Sequence, residues 1–273
     1  MTSQSPFPPP QQPRIAALRL RYASVRAIAA LMLREMATDN GRSPGGYLWA
    51  VLEPILAILL LTAIFSAGFR SPSLGINFHI FYATGILPFL VFNDISAKTA
   101  TAIMFSRALL AYPTVTFIDA IIARLLVNIL TQILVAYVVF CGILIVFETR
   151  TMPDLPIILG SFAMAVALGI GVGTVNCVLF TMYPLWQKMW SLATRPLFLL
   201  SCVFHLYQDI PEPYRYYLGW NPLVHVVGYM RKGFYPSYDA AYVSLVYVWG
   251  VSLGLMLIGT VFLRRYHRDL LNA

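Results

Sequence analysis

The sequence predicts an all-α, polytopic membrane protein with six transmembrane helices, an N-terminal interfacial amphipathic helix and a re-entrant helical segment before the last span. Three observations predict it. Of the 273 residues, 59% are hydrophobic. Only 11% are charged, against about a quarter in soluble domains. The mean hydropathy is +0.73, and the apolar residues gather in runs near the ~20 residues that one helical crossing needs.

Residues 1–18 read as a disordered tail, marked by Pro6, Pro8, Pro9, Pro10 and Pro13. Residues 19–46 read as a cytoplasmic interfacial helix and turn. Arg19, Arg26 and Arg34 share one helical face, and Val25, Ile28, Met32 and Met36 share the other. Such a helix is too charged to span and lies in the headgroup plane. Gly41, Pro44, Gly45 and Gly46 end it. Residues 47–273 form one transmembrane domain, with spans expected at about 47–69, 78–96, 117–147, 155–182, 196–206 and 241–263. The stretch 207–240 is aromatic and broken by Pro211, Pro213, Pro222 and Pro236, yet 223–230 is apolar. It predicts two short helices dipping into the outer leaflet, packed on the bundle because lipid cannot satisfy irregular backbone. Asn221 is placed to cap the second of them, with Pro222 at its first position.

Lys and Arg orient the domain. Segments 1–46, 97–116, 183–195 and 264–273 hold 13 of them, and 70–77, 148–154 and 207–240 hold five. Both termini are therefore expected in the cytoplasm. The net charge of +8 is topological, which excludes nucleic acid as a partner. Cys141, Cys177 and Cys202 lie in apolar runs and read as packing residues, without disulfide or metal.

No G-x-x-x-x-G-K-[ST] phosphate loop is present. Gly169, Gly171 and Gly173 lie inside the fourth span, where small residues allow close helix packing. If transport is ATP-driven, the ATPase is another chain. The ionisable residues in or near spans are Glu53, Asp94, Asp119 and Arg124. Charges in hydrocarbon face a bundle interior or water. For Glu53, a polar pathway and structural pairing stand equally. For the other three, pairing and snorkelling to the inner surface are favoured. His79, His205, His225 and His267 are scattered, and no H-E-x-x-H or D-D-x-x-D pattern appears, which argues against an enzyme. A proton-coupled secondary carrier would favour midplane charges and an inverted repeat, and no repeat is visible.

Three stretches then point to a family. The first is Gly41-Arg42-Ser43-Pro44-Gly45-Gly46-Tyr47-Leu48-Trp49 with Glu53-Pro54 after the amphipathic helix. The second is Phe105-Ser106-Arg107 with Tyr112-Pro113. The third is Asn221-Pro222-Leu223-Val224-His225 with Arg231 and Gly233-Phe234-Tyr235-Pro236-Ser237-Tyr238. Together they resemble the ABC-2 type exporter permeases, above all the capsule-polysaccharide (KpsM-like) group of Gram-negative bacteria. One departure is Gly228, where many relatives carry an acid. The resemblance implies a homodimer in the bacterial inner membrane with two copies of a separate ATPase, which binds ATP and Mg. No cofactor is implied in this chain. The implied cargo is a lipid-linked capsular polysaccharide, with O-antigen or a teichoic-acid-like polymer as the alternative. A periplasmic or outer-membrane conduit is left open. On this reading Trp49, Glu53, Tyr82, Phe89, Phe92 and Asp94 are candidates for the translocation pathway. Arg19, Arg26 and Arg34 are candidates for guiding the lipid anchor. Arg107, Tyr112, Pro113, Trp186 and Lys188 are candidates for coupling to the ATPase. Asn221, Pro222, His225 and Arg231 belong to the outer re-entrant segment, the last two meeting sugar at its mouth.

Overall fold

The computed structural model describes residues 23–39, 46–102, 104–105 and 117–272. The tail, Arg19, the turn at 41–45, Arg107, Tyr112 and Pro113 lie outside them. Among the described residues all regular structure is helical. The helices are α1 (Ala23–Asp39), α2 (Gly46–Gly68), α3 (Phe78–Ala100), α4 (Phe117–Val146), α5 (Leu155–Met182), α6 (Pro184–Leu199), α7 (Tyr214–Leu218), α8 (Pro222–Phe234) and α9 (Leu245–Asn272), with a 3-10 turn at Tyr207–Asp209.

Local chemistry sets several of these boundaries. Asn77 caps α3 by accepting from the His79 N–H at 2.9 Å. Asp154 caps α5 from the Ile157 N–H at 3.4 Å. Asn221 caps α8 from the Leu223 N–H at 3.0 Å, with Pro222 in the first turn, as the sequence predicts. Proline at that position costs little, because its missing N–H has no intrahelical partner anyway.

Five helices, α2, α3, α4, α5 and α9, are long and apolar enough to cross a membrane. The sequence predicts six, and the difference lies at residues 183–206. The expected polar loop and the start of the expected fifth span form one 16-residue helix, α6, none of whose residues is buried. That helix ends at Leu199, and carbonyls of the residues after it are taken by side chains. Asn221 donates to the Leu200 carbonyl at 3.1 Å. Arg231 donates to those of Val203 and His205, both at 2.9 Å.

The bundle is organised around α3. Within its apolar window 78% of residues are buried in the protein, against 17% for α2 and α9. α5 packs against α3 on one side and α9 on the other. The alternate glycines make this possible. A Cβ on Gly169 would stand 3.0 Å from the Phe92 carbonyl, and one on Gly173 would stand 2.8 Å from the Ser96 carbonyl. Both belong to α3. Gly171, half a turn away, faces α9, where a Cβ would stand 2.7 Å from the Ser252 carbonyl. Small residues thus let three backbones approach, as the sequence predicts. α1 packs along α4. Cys177, Val178 and Leu263 cluster with Ile121, so α1, the start of α4 and the ends of α3, α5 and α9 share one end of the bundle.

Candidate functional site

The opposite end is built by residues 200–243, and Arg231 is its hub. The α8 helix is amphipathic and almost wholly buried, packed on α5 and α3. Arg231 is 0% exposed. Besides its two carbonyl acceptors, its guanidinium lies over the Phe81 ring of α3 at 4.6 Å. No carboxylate pairs with it among the described residues. A buried cation normally needs a counter-charge. Here carbonyl dipoles and a ring face supply the compensation, and the cation ties the chain after α6 to the core helix. Val203 accordingly sits against Gly85, where a Cβ would stand 2.9 Å from the Val203 carbonyl.

His225 is engaged in the same manner. Its Nδ1 accepts from the Ser244 N–H at 3.2 Å, and its Nε2 lies 2.9 Å from the Gly219 carbonyl. The first bond makes Nδ1 an acceptor, which leaves Nε2–H as the donor. Its ring is 5.3 Å from that of Tyr247. His225 and Arg231 therefore do not stand open at a mouth, as the sequence reading expects. They staple α8 to its neighbours, because both lie on its buried side while Lys232 takes the exposed position. Beside them the Tyr238 and Tyr242 hydroxyls are 3.0 Å apart. Burial pushes both phenols above their ordinary pKa, so they act as neutral hydrogen-bonding groups. On the outside of this element Tyr214, Tyr216, Tyr217 and Trp220 are exposed.

The candidate pathway residues separate into two groups. Tyr82, Phe89 and Phe92 are 2%, 5% and 2% exposed. They pack in the core, with Tyr82 5.4 Å from Phe65 and Phe89 4.9 Å from Phe198. The reason is the central position of α3. Asp94 accepts a hydrogen bond from Gln132 of α4. Trp49 and Glu53 are different: one helical turn apart, they lie on the exposed face of α2 with Leu56 and Leu60. Glu53 has no hydrogen bond or ion pair among the described residues.

At the α1 end the structure adds a residue that sequence reasoning missed. Glu35 of α1 and Arg124 of α4, each 8% exposed, form an ion pair at 3.0 Å. The Arg124 guanidinium also lies over the Phe105 ring at 4.3 Å and bonds the Thr101 carbonyl at 3.4 Å. Arg34 approaches the same ring at 5.9 Å. The signal lies in Arg124 itself, since an arginine inside a span requires an anion, and here the anion sits on a helix outside the spans. Asp119 is buried nearby on the same helix. Arg26 is exposed. Trp186 donates to the Asn176 side chain at 3.0 Å, and Lys188, half a turn further along, is exposed.

A second missed pattern is His205-x-x-x-Asp209. The 3-10 turn at Tyr207–Asp209 breaks the helical spacing such a pair would need, and no hydrogen bond joins the two among the described residues. No cluster of three metal-ligating side chains occurs among the described residues. The arrangement offers helix packing, an outward acid and an aromatic cap, without a constellation for bond-breaking chemistry among the described residues.

Comparison with known proteins agrees in kind. The ABC-2 type transporter family matches residues 26–235. The chain is 32% identical to the polysialic acid transport protein KpsM of Escherichia coli over 246 residues, covering 90% of this chain and 95% of that protein. It is 25% identical to the capsule polysaccharide export inner-membrane protein CtrC of Neisseria meningitidis serogroup A, covering 89% and 92%. It is 22% identical to the capsule polysaccharide export inner-membrane protein BexB of Haemophilus influenzae, again covering 89% and 92%.

Proposed function

Because this chain belongs to the ABC-2 type transporter family, we propose that it is the permease subunit of an ATP-driven exporter carrying capsular polysaccharide outward across the bacterial inner membrane. The observation that carries this reading is similarity along 90% of the chain to a polysaccharide transport protein. Hydrolysis of ATP with Mg belongs to a separate ATPase, present in two copies. The permease acts as a homodimer through a self-complementary interface, and the cargo travels on a lipid anchor.

Glu53 supports the dimer and the pathway together. A carboxylate on an outward α2 face would meet hydrocarbon if the chain stood alone, and such groups face a bundle interior or water. The face carrying Trp49, Glu53, Leu56 and Leu60 therefore borders the conduit between two copies. The 13-to-five charge bias puts the α1 end in the cytoplasm. There Arg26 and Arg34 guide the anionic anchor, and Trp186 and Lys188 meet the ATPase. Residues 184–206 complete the sixth crossing as a helix followed by turns. Trp186 sits beside Asn176 at the cytoplasmic end, and Phe204 lies 6.0 Å from Phe65 near the end of α2. The α7–α8 element caps the outer end.

The test is deletion of the gene in its own host. The surface polymer is expected to disappear while lipid-linked polymer accumulates in the cytoplasm, and plasmid-borne wild type restores export. Loss of surface polymer with no internal accumulation would instead mean a role in synthesis, and the proposal would fail.

A further inference from the structure

α4 and α5 both pack on α3 but barely touch each other. The gap between them is a cavity of about 710 Å³. Buried Val91 and Ala136 form its floor, and the exposed Tyr137, Leu159 and Leu253 form its rim. The lining runs along α5 from Leu155 to Ile170 and along α4 from Ile129 to Leu144. At 1.5 Å per residue each wall is about 22 Å long, most of the ~30 Å hydrocarbon thickness. We infer that this slot is a lipid-binding site, occupied by an acyl chain of a phospholipid from the surrounding bilayer.

Shape and chemistry choose the occupant. The slot is a long groove walled by two neighbouring crossing helices, and it runs the way an acyl chain runs in the bilayer. Its lining is overwhelmingly apolar; its polar members are Gln132, whose amide is engaged by Asp94, and the largely apolar rings of Tyr137 and Trp249. Water therefore gains nothing by entering, since a buried water needs two to four polar partners. No cation lines it, so recognition rests on the alkyl chain and not on a headgroup. The three helices around its mouth, α4, α5 and α9, are crossing helices, so the mouth opens to hydrocarbon. It lies on the opposite side of α4 from the face turned to α2, which carries Val138, Gly142 and Val146. Separation from the Glu53 surface, which rests on the pathway reading above, favours a resident bilayer lipid over the moving glycan anchor.

The test uses the full-length chain with its ATPase in nanodiscs doped with a phosphatidylcholine bearing a mid-chain diazirine. Peptides containing Tyr137, Cys141 and Phe162 are expected to label about fivefold more than those containing the fully outward Ile145 and Val246, a preference of roughly 1 kcal/mol. Ala163→Phe fills the slot and should bring its labelling down to the outward level with export intact, while Ala163→Ser labels like the parent. Val166→Phe, one turn away on the same wall, is the second filling variant should the first fail to fold. Equal labelling of slot and outward faces would reduce the site to ordinary lipid contact and overturn the inference. So would a change of subunit stoichiometry in Ala163→Phe, or a polyprenyl or glycosylated lipid as the retained species. Export lost in the deletion strain through lost synthesis would defeat the proposed function and leave this labelling pattern untouched.

Discussion

Replacing Gly171 with alanine tests the packing at the centre of the bundle. The added Cβ would stand 2.7 Å from the Ser252 carbonyl oxygen and 3.1 Å from the Leu255 Cβ. Ordinary contact begins at 3.4 Å, so α9 must retreat by about 0.7 Å along a tightly packed face. The obstacle is backbone, and no rotamer change relieves it. Overpacking of this kind costs about 1–3 kcal/mol, offset by the ~0.5–1 kcal/mol that alanine gains over glycine inside a helix. The net loss is about 1–2 kcal/mol, a fall of roughly 2–8 °C in the thermal midpoint for a chain of this size. Intrinsic tryptophan fluorescence in detergent reads it. The internal control is Gly254→Ala on α9, where an added Cβ meets nothing within 4 Å and stability should hold or rise. Gly160→Ala is the intermediate case, since its only close neighbour is the Tyr229 ring, which can swing aside. If Gly171→Ala melts with the wild type, or Gly254→Ala melts as low as Gly171→Ala, the close-approach reasoning is refuted.

Two further perturbations probe the charged anchors. Arg124→Ala strands Glu35 in a site where both side chains are about nine-tenths buried, and losing one partner of such a pair costs ~3–5 kcal/mol. The double replacement Glu35→Leu, Arg124→Met should recover most of that loss, and a double variant no more stable than the single one would show that the pair is not what joins α1 to α4. Arg231→Met removes the donors to the Val203 and His205 carbonyls and leaves the buried Val203 carbonyl unpaired, at about 1–3 kcal/mol. Protection of the 200–206 amides from hydrogen exchange should fall first, and unchanged protection would mean that Arg231 does not hold this segment.

The crossing helices were legible because hydrocarbon imposes one requirement on a long stretch of chain. The spans expected at 117–147 and 155–182 correspond to α4 and α5 almost residue for residue. Capping chemistry was legible at Asn221 for a different reason, since cap and proline act within three residues. The region around Pro196 was not. Lys188 and Arg195 marked a loop by composition, yet they sit on a continuous helix. The chain just after that helix is held by Asn221 and Arg231, more than 20 residues away in sequence. Glu35 and Arg124 are further apart still, and no local pattern links them.

The misplacement of Tyr82, Phe89 and Phe92 has a physical source that hydropathy itself contained. Among the five crossing helices α3 has the lowest mean hydropathy, 1.4, and α4 the highest, 2.6, yet 78% of the α3 window is buried in the protein against 28% for α4. In water the buried helix is the most apolar one, because burial is driven by leaving the solvent. In a bilayer the solvent is hydrocarbon, so apolarity is required of the outward helix. The inner helix is free to carry Thr84, Gly85, Ser96 and Thr99, whose small or hydroxyl side chains pack closely. Thr84 and Thr99 return their hydroxyls to the Phe81 and Ile95 carbonyls of their own helix. The span of lowest hydropathy is thus the core helix, and its aromatics pack. The same rule leaves the highly apolar α2, with its one outward carboxylate, as the helix whose exposed face needs a second explanation, and the dimer-bordered pathway supplies it.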